Sequence, residues 1–214
     1  MDTRLSAADR TYAHTKDAIL SRRYVGGEIL SEGDIAADVG VSRTPVREAL
    51  LRLEAEGLVR LYPKRGALVV PVSQQEIDDV IETRRLVEGY TAERAAEAGQ
   101  EARRELVATL TGHLDAMNAH LENDRRAFVL ADREFHRAIV TASGNEILIH
   151  LYGTLRDRQL RMMEEGTRTA ARMRRNIEEH GAILEAIRAG DPAAARTAVR
   201  VHMDGAATLL GARR

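Results

Sequence analysis

Two helix starts only eleven residues apart, at Ser31 and Ser42, constrain this chain more than any other feature. Ser31 followed by Asp34 has the form of a capping box, with Asp in place of the usual Glu. Ile35, Ala36 and Val39 then supply one apolar face before Gly40 ends the run. Val41 leads directly to Ser42, a second N-cap. The helix from Arg43 to Glu56 tolerates Pro45 because first-turn amides have no intrahelical partner. A helix of barely two turns, followed at once by a longer one, predicts a tight helix-turn-helix. Tyr12, Ala18, Ile19 and Leu20 fit a further short helix between Thr11 and Arg23, which Gly26-Gly27 breaks.

Val46, Ala49, Leu50 and Leu53 fall at helical spacing and point inward, which leaves Ser42, Arg43, Thr44 and Arg47 on the outer, amino-terminal surface. Guanidinium groups one turn apart can reach guanine edges or phosphates in a major groove, and hydroxyls can hold the backbone. The alternative for any isolated Arg pair is a solvated face. After Gly57, Leu58 to Leu61 and Ala67 to Val70 read as two short strands around Pro63-Lys64-Arg65-Gly66, a basic-tipped wing. Net charge offers no help. The whole chain carries −1, and residues 1–71 hold 11 basic against 10 acidic side chains. Any DNA surface must come from clustering, not from excess.

The stretch GVSRTPVREALLRLEAEGLV, with the KRGALV hairpin after it, closely resembles the amino-terminal domain of the GntR family of bacterial regulators, over roughly residues 11–71. The resemblance implies that Arg43 and Arg47 contact operator bases or phosphates, that Ser42 and Thr44 contact the DNA backbone, and that Gly66 lets the wing approach the minor groove. One position departs: many relatives carry Arg or another long polar residue where this chain has Gly33, so the operator is expected to differ from the commonest ones.

Beyond Pro71 no strand is evident. Ser73 caps a long helix running to about Ala98, and further helices are expected at about 101–122, 124–142, 145–165, 169–189 and 192–211. Their breaks are Gly99, Asn123-Asp124, Ser143-Gly144-Asn145, Gly166 and Gly190-Asp191-Pro192. Such short connections predict an antiparallel bundle. The expected organisation is mainly α: a winged helix-turn-helix DNA-binding domain over 1–71 and an all-helical effector-binding and dimerisation domain over 72–214.

Polar residues interrupt three of the apolar stripes. Asp132 and His136 are spaced i to i+4 on the stripe of Phe128, Phe135 and Ile139. His180 lies with Met173, Ile177, Leu184 and Ile187, and His202 with Ala195, Ala198, Val199, Ala206 and Leu209. His180 precedes Gly190 by ten residues and His202 follows Pro192 by ten. In an antiparallel hairpin both imidazoles then lie roughly 15 Å from the turn. With no cysteine in the chain, any metal must be held by His, Asp or Glu. One carboxylate and three imidazoles can form a tetrahedral or octahedral site with positions left for water or ligand oxygens. Satisfied core histidines are the competing reading.

The pattern D-x-x-x-H, then EEHGAILEAI, then VRVHM resembles the FCD-type effector domain of the FadR subfamily, over about residues 73–211. That likeness implies a divalent metal, Zn, Ni or Mn, at Asp132, His136, His180 and His202. It also implies an effector-facing role for Arg84, whose other reading is an ordinary salt bridge to Glu88. His14, His113, His120 and His150 match no ligand position and read as surface or packing residues. The expected function is a cytoplasmic homodimeric repressor that binds operator DNA and senses a small carboxylate, with no membrane association. Two rivals remain: a metal-dependent hydrolase-like enzyme, and a DNA-binding protein whose metal is purely structural.

Overall fold

Ser6 starts the first helix earlier than expected. In the computed structural model, which describes residues 5–162 and 169–211, Ser6 and Asp9 form a reciprocal capping box, and α1 runs Ala7–Leu20. Its buried positions are Thr11, Thr15, Ala18 and Ile19, so the inner face is half hydroxyl. Thr11 returns its hydroxyl to the Ala7 carbonyl at 2.7 Å. Strand β1, Ile29–Leu30, follows, then α2, Glu32–Val39, and α3, Arg43–Ala55.

Ser31 caps α2 by accepting from the amides of Gly33 and Asp34, and Gly40, at φ 70°, closes it in a left-handed conformation that suits glycine. Strands β2, Val59–Tyr62, and β3, Gly66–Val69, complete a three-stranded antiparallel sheet in the order β1-β3-β2. The β2–β3 hairpin pairs Val59 with Val69 and Tyr62 with Gly66. The other edge of β3 takes Ile29 and Leu30 opposite Leu68 and Ala67, a strand the sequence reading did not contain. Val46, Leu50 and Leu53 of α3 pack with Ile19, Ile35, Leu58 and Val69 into one core.

The chain separates into two compact units between Ser73 and Gln74. The second is entirely helical among the described residues: α4 Gln74–Glu97, α5 Gln100–His120, α6 Arg125–Ala142, α7 Glu146–Met162, α8 Ala170–Ala189 and α9 Pro192–Leu210. The expected break at Gly166, and the end of the helix expected to reach 165, lie outside the described residues. Asp124, Thr169 and Asp191 cap α6, α8 and α9 with side-chain oxygens, and Pro192 occupies the first turn of α9. Helix α4 packs against α9, α5 against α6 and α8, and α8 against α9. The main core holds Leu106, Leu110, Phe135, Ile139, Ile183, Leu184, Val199 and Met203. Among the described residues no helix is long and apolar enough to cross a membrane.

Candidate effector site and DNA-binding surface

Burial of Val46, Ala49, Leu50 and Leu53 on one side of α3 leaves Ser42, Arg43, Thr44 and Arg47 exposed on the other. Ser42 sits at the N-cap position, yet its hydroxyl makes no capping bond. The Nε of Arg47 donates to both carboxylate oxygens of Glu32, at 2.9 and 3.0 Å, so the first residue of α2 anchors this side chain. A cleft of about 630 Å³ lies between α3 and the hairpin, with Arg43, Arg47, Lys64 and Arg65 on its walls. Positive charge is clustered here although the unit as a whole is nearly neutral.

Gly66 has a second reason to be glycine. At φ 105° it occupies backbone space that side chains disfavour, and a Cβ there would lie 2.3 Å from the Leu30 carbonyl oxygen. The β1–β3 pairing therefore dictates this residue whatever the wing touches. Gly33 is open towards the same cleft: a Cβ on it would meet a terminal nitrogen of Arg43 at 3.8 Å.

Inside the helical unit, α6, α8 and α9 bring three imidazoles together. The rings of His136, His180 and His202 have centroids 4.6–4.9 Å apart, and each offers a nitrogen within 4.8 Å of the others. All three residues are at most 3% exposed. Their Nδ1 atoms face acceptors. His136 Nδ1 lies 2.9 Å from Glu88, His180 Nδ1 is 2.6 Å from the Asn176 carbonyl, and His202 Nδ1 is 3.0 Å from Glu179. The Asn176 and Glu179 acceptors favour an Nδ1 proton on His180 and His202, while Glu88 Oε2 stands in ion-pair distance of His136 without a hydrogen bond. His136 and His180 bring theirs within 3.0 Å of each other.

Burial pushes His136 and His180 down to about 4 and lowers His202 as well, so neutral rings prevail near pH 7. Burial opposes ionisation of the carboxylates too, but their partners outweigh it. Arg84 and His136 hold Glu88 well below the usual range, and His202 and Arg172 hold Glu179 at about 2. Three buried imidazoles, each offering one nitrogen, suit a divalent ion that accepts imidazole nitrogen.

Asp132 is buried beside this group. Its Oδ1 accepts from Asn176 at 2.9 Å and lies 3.5 Å from His180 Nε2, while Oδ2 accepts from Arg156 at 3.3 Å. Arg84 makes the salt bridge to Glu88. Its Nε donates to Glu88 at 2.6 Å, whereas both terminal amino groups are buried without a hydrogen-bond partner among the described residues. A small cavity, about 40 Å³, is lined by Arg84, Asp132, Gln159, Arg172, Asn176 and His202. It places an unsatisfied guanidinium edge beside the imidazoles, an arrangement suited to a carboxylate. Of the remaining histidines, His150 is exposed and His14, His113 and His120 are half-buried.

Glu88, Asn176 and Glu179 are the contributors that sequence reasoning missed. Glu88 entered only as a salt-bridge partner. Glu179 adjoins His180 in sequence but serves His202 on another helix, so no spacing rule points to it.

A winged helix-turn-helix unit joined to an all-helical unit with a buried polar site is the architecture of a regulator of transcription. Comparison with known proteins agrees. Residues 7–69 match the bacterial regulatory proteins of the gntR family, and residues 79–205 match the FCD domain. An HTH-type transcriptional regulator of Agrobacterium vitis, from the TAR-I ttuE-ttuC' intergenic region, is 37% identical over 65% of this chain and 81% of its own. The gluconate operon transcriptional repressor of Bacillus subtilis is 30% identical over 82% and 73%. A GntR transcriptional regulator from Rhodococcus sp. RHA1 superposes with a TM-score of 0.78 at 25% identity, covering 98% of this chain and all of that one. The Zn2+-bound FCD domain of TM0439 superposes at 0.51 with 26% identity, over 65% and 95%. The chain belongs to the GntR family and carries an FCD domain; it is a transcription regulator and not an enzyme.

Proposed function

We propose that this regulator is a homodimeric repressor released from, or fixed on, its operator by a small carboxylate that binds beside a divalent metal. The carrying observation is the convergence of three buried imidazoles, each offering one nitrogen, in the same unit as the two buried amino groups of Arg84 that make no hydrogen bond among the described residues. His136, His180 and His202 would hold the metal, with Asp132 as the adjacent carboxylate. Zinc, nickel and manganese all accept such donors. The bound metal would supply a Lewis acid for a ligand oxygen. Arg84 would orient a carboxylate through two parallel N–H donors, and Gln159 and Asn176 offer further polar contacts from the same wall. The Zn2+-bound FCD relative supports the metal, and the gluconate operon repressor supports the sign of regulation.

On the DNA side, Ser42, Arg43, Thr44 and Arg47 would enter a major groove, with the turn before Gly66 against the minor groove. Two copies would bind a two-fold-symmetric operator, each reading one half-site. A ligand that binds two arrangements of the protein unequally shifts their populations and so alters DNA affinity.

Elemental mass spectrometry of purified protein tests the site. Wild type should carry about one metal per chain, and the His180→Ala, His202→Ala double variant none. Absence of metal in wild type after loading with divalent ions would sink the pocket assignment. Operator affinity measured with and without added carboxylates tests the response. Affinity that no carboxylate alters, in a protein that does hold metal, leaves the metal with a structural role alone.

A further inference from the structure

One carboxylate touches both halves of the proposed site. Glu88 Oε1 accepts from Arg84 Nε at 2.6 Å and from the Tyr152 hydroxyl at 2.9 Å, while Oε2 lies 2.9 Å from His136 Nδ1. Arg84, Glu88, His136 and Tyr152 are each no more than 2% exposed, so these contacts are made away from bulk water. Glu88 and Arg84 are one turn apart on α4, His136 is on α6 and Tyr152 on α7. The guanidinium that would grip an anion and the imidazole that would grip a metal therefore share a single negative charge.

We infer that Glu88 is a positioning residue that couples the two ligands, so that metal and carboxylate bind cooperatively through the chain Arg84–Glu88–His136. This rests on the site assignment above. A cation held by His136 would make the ring more positive and draw the charge of Glu88, whose Oε2 is 2.9 Å from the ring nitrogen, towards that oxygen. Less of that charge then faces Arg84, whose two buried amino groups become better hosts for an anion. The converse follows by linkage. A carboxylate on Arg84 satisfies the guanidinium, loosens its hold on Oε1 and leaves more of the Glu88 charge facing His136, which makes the imidazole a stronger donor. Tyr152 restrains the carboxylate between the two, with its hydroxyl on the Arg84 side. A carboxylate ligated directly to the metal would also give cooperativity, but that contribution does not pass through Glu88.

Zinc affinity of the full chain, measured by competition with a chromophoric chelator with and without saturating acetate, separates the two. In wild type acetate should tighten zinc binding about tenfold, within the usual range for coupled sites. In Glu88→Gln, which keeps the shape but removes the charge, the enhancement should fall below about threefold while zinc still binds. Tyr152→Phe keeps the Arg84–Glu88 ion pair, which protects against loss of the fold, and should also lower the enhancement, with Glu88→Asp intermediate. An enhancement in Tyr152→Phe and in any folded Glu88 variant equal to that of wild type overturns the coupling role and leaves the site assignment standing. No zinc binding by wild type overturns both.

Discussion

His136 and His180 point their Nε2 atoms at each other across 3.0 Å, and each has its Nδ1 within 2.9 Å of an oxygen on the far side of the ring. Burial favours the neutral form of both rings, and a neutral imidazole can give a nitrogen lone pair to a cation. Zinc at about a hundred times its dissociation constant should then stabilise the helical unit by about 2.7 kcal/mol. His180→Ala should abolish most of that gain in a thermal melt, and an equal gain in the variant would remove the imidazoles from the site.

The same two rings set a pH dependence in chelator-treated protein. Their folded values of about 4 lie below the ordinary 6.5, so between those limits the unfolded chain binds protons that the native state refuses. Stability is therefore complete above about pH 6.5 and is lost as pH falls towards 4, by at most about 1.4 kcal/mol per pH unit for each ring. Urea midpoints across this window should slope upward with pH. A flat profile in the metal-free chain would contradict neutral burial.

Gly66→Ala is expected to damage the DNA-binding unit without touching DNA chemistry. The new Cβ meets the Leu30 carbonyl oxygen at 2.3 Å, in a backbone conformation already unfavourable to it. Strand β1 must lift away or the hairpin must shift, at a cost of about 2–4 kcal/mol. A melt of the variant without DNA checks this. Unchanged stability accompanied by lost operator affinity would assign the glycine to the wing contact instead.

Arg43→Ala and Arg47→Ala should each weaken operator binding by about 1–3 kcal/mol, with little change in fold stability, because both side chains are exposed. Glu32→Gln offers a finer test. It releases Arg47 Nε from its anchor, so discrimination between operator variants should relax more than overall affinity. Gel-shift measurements on single-base operator variants distinguish the two effects, and equal affinity of the double Arg variant would sink the recognition-helix assignment.

Much of this was legible in the sequence, for reasons specific to particular residues. The stripes through Phe128–Ile139 and Met173–Ile187 declare which face is inward, and residues breaking such a stripe stand out, which is how Asp132, His136, His180 and His202 were found. Strand β1 was not legible: two residues, Ile29 and Leu30, show no alternation to read. The start of α1 was obscured because Thr11 and Thr15 fill core positions where an apolar residue is expected. The acceptors behind the imidazoles were hidden for another reason. Glu88 and Glu179 act across helices, and Asn176 acts through its backbone carbonyl, so their roles follow from packing.

The cavity beside Arg84 has room for about three waters. Part of its wall is Arg172, clamped to Glu179 by bonds of 2.8 and 3.1 Å. Under the proposed function, an organic acid larger than that space would need part of this wall, the Arg172–Glu179 pair included, to move aside.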